Sequence, residues 1–179
     1  YKSVKPTASE VSAFVTCGDN DAAIMARIRE IVATEEPISR AFLKKRVLAS
    51  FGIQKSGSKV ESRLDALIDG CALGRDRVMG TDYFYKNPKS LMIGKFRTET
   101  SPALRRNEDD FTVYEIVSLV KGALEERVAL YMDELTALLV GVFPDLKAGE
   151  RFQSFLRDCI AYGEEKGLFV RSVSDRISL

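Results

Sequence analysis

Apolar residues recur at helical spacing in two stretches of the chain. In the first, Ile24, Ile28, Ile31 and Val32 form one stripe behind acidic start signals at Asp19 and Asp21. Pro37 disfavours helical geometry in the residue before it, which sets the end of this helix near Glu35. A second helix is predicted behind a Ser39 cap, with Phe42, Leu43, Val47 and Leu48 facing inward and Gly52 as a left-handed stop. A third opens with residues 58–61, SKVE, which have the spacing of a capping box, and turns Val60, Leu64, Leu67, Ile68 and Cys71 to the core. Residues 77–85, RVMGTDYFY, are too short and too aromatic for a helix, and the central Gly80 predicts a β-hairpin.

A shift of 92 positions lays this pattern on the rest of the chain without a gap. It sets Ile24 on Ile116, Leu43 on Leu135, Phe51 on Phe143, Lys55 on Lys147, Gly57 on Gly149, Leu64 on Leu156 and Ile68 on Ile160. Apolar partners that are not identical also coincide: Ile28 with Val120, Val32 with Leu124, Val47 with Leu139 and Val60 with Phe152. The second copy therefore predicts helices near residues 113–127, 131–142 and 149–165, the first behind a Thr112 to Glu115 capping box. Gly167 and a hairpin turning at Ser174 and Asp175 follow.

Three helices with a short turn between the second and third, followed by a two-stranded wing, are the winged variant of the helix-turn-helix. The expected fold is mainly α with small β-hairpin wings, a tandem winged-helix repeat. The first unit spans residues 1–85 with an N-terminal extension, a basic linker covers 86–111 with a short strand at Leu91 to Ile93, and the second unit spans 112–179. An irregular all-α bundle, with loops in place of both hairpins, is the rival.

Composition removes several chemistries. The chain has no histidine, so a Ser-His-Asp triad, a Cys-His pair or a histidine-ligated metal is excluded within it. Cys17, Cys71 and Cys159 are odd in number and never in a CxxC pair, which argues against a disulfide framework or a thiolate zinc site and for a reducing cytoplasm. Cys71 and Cys159 lie on apolar stripes and are expected to fill core volume. No apolar run approaches the ~20 residues of a membrane span, and no membrane partner is expected. A start at Tyr1 rather than Met reads as a chain excised from something longer. Nothing assembles nucleophile, base and electrophile, so neither an enzyme nor a cofactor is expected. Adjacent acids such as Glu35 and Glu36, Asp109 and Asp110, or Glu125 and Glu126 are expected to be solvated ends of elements.

The net charge of +1 conceals a segregation: residues 1–36 carry −2, residues 37–106 carry +9 and residues 107–179 carry −6. Clustered Lys and Arg are the footprint of phosphate binding. In the first unit Lys55, Ser56, Ser58, Lys59, Ser62 and Arg63 surround the start of the third helix, whose free amides favour an anion. Lys44 and Lys45 project from the helix before it, and Arg75 and Arg77 mark the wing. Together they would make a basic saddle, although Glu61, Asp65 and Asp69 share the outer face of that helix and argue against base-specific reading. Tyr83, Phe84 and Tyr85 are expected to pack on their own helices rather than stack on bases. In the second copy Lys44, Lys45 and Arg46 are replaced by Thr136, Ala137 and Leu138, which leaves a structural or protein-contacting unit. Gly52 and Gly57 have the spacing of a phosphate-binding P-loop, but Ser58 and Lys59 stand in the reverse of the required order and the segment follows a helix.

The strings IREIVATEEPI at residues 28–38, LKKRV at 43–47 and FGIQKSGSK at 51–59 resemble a domain of large bacterial superfamily-one helicase-like proteins. That domain lies near their C-terminus, behind the helicase core and a nuclease-like domain. Members usually carry Gly where this chain has Glu36, and often Trp in the wing, where this chain has Tyr83, Phe84 and Tyr85. The resemblance implies an accessory module of a nucleic-acid motor, with ATP hydrolysis elsewhere in the parent and no catalytic residue to transfer. The function expected is weak, sequence-tolerant nucleic-acid binding through the first unit, to DNA rather than RNA. The alternative is a scaffold that contacts the helicase or nuclease-like domains of the same parent chain.

Overall fold

The computed structural model describes residues 20–53, 56–91, 107, 110–143 and 146–179. Among them the protein is mainly helical with small antiparallel sheets, and the chain divides into two compact units, Tyr1–Leu91 and Met92–Leu179.

The first unit runs α1 (Asp21–Glu35), β1 (Ile38–Ser39), α2 (Arg40–Ser50), α3 (Ser58–Asp69), β2 (Gly74–Val78) and β3 (Thr81–Tyr85), with a 3-10 turn at Pro88–Leu91. Ser39 caps α2 as expected, its Oγ accepting from Phe42 N at 3.2 Å. Gly52, at φ 70°, ends that helix: its amide donates to Ala49 O, and Ile53 N reaches Leu48 O at 2.9 Å. Only a residue without Cβ adopts this left-handed backbone freely. The expected Ser58 to Glu61 capping box does not form. Gly57 is the N-cap of α3, and the Glu61 carboxylate turns away to Ser56 Oγ and Lys44 Nζ.

Met79 and Gly80 both have positive φ, which matches the twist of the flanking strands and closes β2 onto β3 in a two-residue turn. The hairpin begins at Gly74, three residues before the predicted Arg77. β1 pairs with β3 through Ile38 opposite Phe84 and Ser39 opposite Tyr83, giving the sheet order β1-β3-β2. This third strand is two residues long, too short for any period-2 signal to register. Ile24, Ile28, Ile31, Val32, Ile38, Phe42, Leu43, Val47, Leu64 and Ile68 are at most 1% exposed and make one core. Tyr83 and Phe84 are buried too, as expected of a hairpin packed on its own helices.

The second unit runs α4 (Val113–Glu126), α5 (Met132–Val142), α6 (Glu150–Glu165), β4 (Val170–Arg171) and β5 (Ile177–Ser178). Here the predicted capping box is present: Thr112 Oγ1 accepts from Glu115 N at 3.2 Å and Glu115 Oε2 from Thr112 N at 3.1 Å. Burial follows the shift of 92 residues. Ile24 and Ile116, Ile28 and Val120, Leu43 and Leu135, Val47 and Leu139, Leu64 and Leu156, and Ile68 and Ile160 are buried in both units. The shift also carries Ile38 to Leu130, and Leu130 bridges Ile177 in β5 by two backbone hydrogen bonds of 2.9 Å. The second unit thus repeats the β1-to-β3 contact of the first, without the full strand.

The rival bundle with loops for hairpins is overturned by these ladders. Both ends of the second hairpin are shorter than predicted, because Val170 and Arg171 face solvent and little apolar burial extends them. Leu91 lies in the 3-10 turn rather than a strand. Met92 and Ile93, most of the predicted linker, Cys17 and Asp19 lie outside the described residues. No helix among the described residues is long and apolar enough to cross a membrane.

Candidate functional site

Three of the residues expected in a basic saddle, Lys44, Arg75 and Arg77, meet on one face of the first unit, where α2, α3 and the β2-β3 hairpin converge. Arg40 and Lys44 are one turn apart on α2 and confront Glu61, Asp65 and Asp69, one turn apart on α3. Lys44 Nζ lies 2.7 Å from Glu61 Oε2 and 3.1 Å from Asp65 Oδ2. Arg40 extends one nitrogen to Asp65 at 3.3 Å, another to Asp69 at 2.6 Å and its Nε to Asp82 of β3 at 3.4 Å. Arg75 of β2 bonds Asp82 and approaches Asp69 at 3.7 Å. Arg77 stands 3.9 Å from the other Asp82 oxygen, which is buried and makes no hydrogen bond. The guanidinium groups of Arg40 and Arg75 lie over the Phe84 ring at 4.9 and 5.8 Å.

Four cations, Arg40, Lys44, Arg75 and Arg77, are therefore matched by four carboxylates, Glu61, Asp65, Asp69 and Asp82. An isolated surface pair contributes ~0–1 kcal/mol, but a network with partly buried members holds its geometry better. Its charges perturb one another accordingly. Hydrogen bonds from Lys44 and then Ser56 hold the Glu61 carboxyl below its usual pKa, against the opposing effect of burial. Arg75 does the same for Asp82, with smaller contributions from Arg40 and Arg77. Burial works against the Lys44 ammonium, yet bonds to Glu61 and Asp65 together outweigh it and raise its pKa.

The other predicted residues have four different placements. Ser56 is taken up by Glu61, and Arg63 turns to Asp21 of α1 at 2.5 Å, away from the outer face. Ser58, Lys59 and Ser62 are exposed along α3, where Ala66 continues the same face. Lys45 points its ammonium over the Phe42 ring at 5.5 Å. Lys55 lies outside the described residues. The expectation that α3 displays three acids outward is corrected: Glu61 and Asp65 are half-buried and folded back on α2, and Asp69, though exposed, is paired.

Arg40 is the residue that sequence reading missed, although it ties all three elements together. Its signal was available as two opposite-signed stripes at i, i+4 spacing, 40 and 44 against 61, 65 and 69. A second correction concerns Glu35 and Glu36, expected to be solvated. Glu35 is buried and paired with Arg46 at 3.1 Å, and Glu36 accepts the amides of Lys86 and Asn87, fastening the chain after β3. Asp110 is likewise buried and accepts from Asn107 N at 2.8 Å. Cys71 and Cys159 are buried free thiols, and burial raises the pKa of both.

A family model described as "Protein of unknown function (DUF3320)" matches residues 18–62. The match takes in α1, β1, α2 and the first turn of α3, and with them Arg40, Lys44 and Glu61; it stops short of the hairpin. No curated protein and no solved structure matches the chain.

Proposed function

We propose that the chain is a non-catalytic accessory module of two winged-helix units, working in the cytoplasm within a helicase-like parent, and that its first unit contacts protein. The helix-strand-helix-helix-hairpin order with sheet order β1-β3-β2 supports the winged-helix reading, and the Leu130 to Ile177 bridge supports its repetition. Support for a helicase-like parent comes from the strings at residues 28–59, which lie inside the matched segment. Free buried thiols suit a reducing compartment.

One observation carries the choice of partner: the four cations of the α2, α3 and hairpin face are neutralised by four carboxylates of the same unit. A phosphate backbone gains affinity by releasing counterions from exposed Lys and Arg, and cations already paired offer little of that gain. A near-neutral face with the small side chains Ser58, Ser62 and Ala66 exposed suits close approach of the parent's helicase or nuclease-like domains. The test is co-elution of this chain with the remainder of the parent, alongside salt-titrated binding of duplex and single-stranded oligonucleotides. Co-elution with no oligonucleotide binding at low salt is expected. Tight, steeply salt-dependent binding of either oligonucleotide would overturn the reading.

A second reading, weak sequence-tolerant binding of DNA, is favoured by the exposed Lys59 flanked by Ser58 and Ser62 at the start of α3. The helix dipole and its unsatisfied amides favour an anion there. On that reading Lys59→Glu together with Lys55→Glu abolishes binding.

A further inference from the structure

The second unit carries an open trough between α4 and α5, about 390 Å³ in volume, lined by Leu119, Ala123, Leu135, Leu138, Leu139 and Val142. Val142 is 43% exposed, and Leu138 is half-buried. Leu119, Leu135 and Leu139 form the trough's buried floor, and a concave site with an apolar floor and a few polar groups at its edge is the usual form of a binding site.

The first unit serves as an internal control. The shift of 92 residues carries Leu138 to Arg46, Val142 to Ser50, Leu119 to Arg27 and Glu134 to Phe42. There the equivalent space between α1 and α2 is filled from within: Phe42 is 1% exposed, and Arg46 lies 4.5 Å over its ring and bonds Glu35 of α1. Ser50 is buried, with its hydroxyl on Val47 O at 2.7 Å. In the second unit both fillers are gone. Glu134 turns back to cap Tyr131 N at 2.8 Å, and Leu138 has no charged end with which to bond α4 as Arg46 bonds Glu35 of α1. The same architecture thus closes with Phe42 and the Arg46 guanidinium in one unit and stays open in the other, so folding alone does not require the trough.

The rim decides what fits. Glu125 and Glu126 border the trough and are exposed; Lys121 pairs with Glu125, and Glu126 has no ion-pair partner among the described residues. Both sit in the last turn of α4, where the helix dipole adds partial negative charge. Residues 107–179 carry net −6. A second copy of the chain would set these acids against their own kind, whereas a basic helix would find them complementary. Two helical stripes with an apolar floor are the geometry that accepts an amphipathic helix through anchors at i, i+3 or i+4 and i+7.

We infer that the α4-α5 trough docks a basic amphipathic helix of a partner protein, with apolar anchors between Leu119 and Val142 and cations on Glu125 and Glu126. This stands independently of what the first unit contacts. The test uses the whole chain and a dye-labelled synthetic helix of roughly 18 residues, leucines on one stripe and lysines elsewhere, beside the same peptide with glutamates for lysines. The lysine peptide is expected to bind at least about 10-fold more tightly than the glutamate one, judged by fluorescence anisotropy. Leu138→Arg with Val142→Ser, which installs the first unit's residues, should weaken it by about 10-fold or more while thermal unfolding stays unchanged. Glu126→Lys, at an exposed position that leaves the floor intact, should also weaken it. Equal binding of the two peptides overturns the inference, as does full binding by the double variant. So does a dimer in sedimentation that the double variant converts to monomer, which would make a second copy the occupant.

Discussion

Lys44 Nζ lies within hydrogen-bonding distance of both Glu61 and Asp65, successive turns of α3, so that one cation of α2 neutralises two acids of the next helix. The same contact that removes the acids from the outer face also withholds the lysine from any phosphate. Glu61→Gln combined with Asp65→Asn should therefore unmask Lys44 and Arg40. Duplex affinity at low salt is expected to rise about 10-fold, and the slope of log K against log salt to steepen by about 2 for two added phosphate contacts. An unchanged salt slope would mean that pairing does not mask this face.

The pH dependence of stability follows from the lowered pKa values of Glu61 and Asp82. A carboxylate whose folded pKa lies below its unfolded one contributes stability that is present above the unfolded value and lost as pH falls through the folded value. Urea midpoints should accordingly drop as the solution is taken below about pH 4. Asp82→Asn should be less stable than the parent near neutrality and lose less of its stability on acidification. Lys44 acts at the other end: its raised pKa contributes stability that is lost as pH rises through the folded ammonium range.

Gly163 of α6 meets the ring of Phe169 so closely that an added Cβ would stand 2.2 Å from two ring carbons. Phe169 is buried, so the ring has nowhere to move without opening the core. Gly163→Ala should cost about 1–3 kcal/mol in urea unfolding. Gly141→Ala in α5, where nothing lies within 4 Å of the new carbon, should instead stabilise by about 0.5–1 kcal/mol. Equal effects at the two sites would argue against the Phe169 packing.

The Thr112 cap is fully buried and Glu115 is 2% exposed, so their reciprocal bonds have no water to replace them. Thr112→Ala should destabilise the second unit by about 1–2 kcal/mol. Ser58→Ala, at the position where the same motif is spelled but not formed, should change stability by less than about 0.5 kcal/mol. A comparable loss at both positions would contradict the difference seen between the two helix starts.

That contrast shows where sequence stops informing. SKVE at 58–61 and TVYE at 112–115 carry the same local spacing, yet only the second closes. Lys44, distant in sequence, competes for the Glu61 carboxylate, and a local propensity of about 1 kcal/mol yields to an ion pair and a hydrogen bond made together. The hairpin was legible from Gly80 at its turn and the short aromatic run around it, although Met79 gives no sign of its positive φ, whereas β1 was not, since two residues carry no period. The cations of the saddle cluster along the chain and are legible there, whereas the turn of Glu61, Asp65 and Asp69 toward α2 depends on how α3 packs.

What the sequence determined by itself is the duplicated helical rhythm, the core positions that coincide under a shift of 92 residues, and the absence of histidine chemistry; these are properties of spacing and composition, which are local. Only the tertiary structure decided which charges meet. Packing α3 against α2 and the hairpin brought Arg40, Lys44, Arg75 and Arg77 to four carboxylates. Ionic pairing depends on distances of a few ångströms between residues far apart in the chain; the stripes at 40 and 44 and at 61, 65 and 69 give each helix a charged face but do not encode which faces meet.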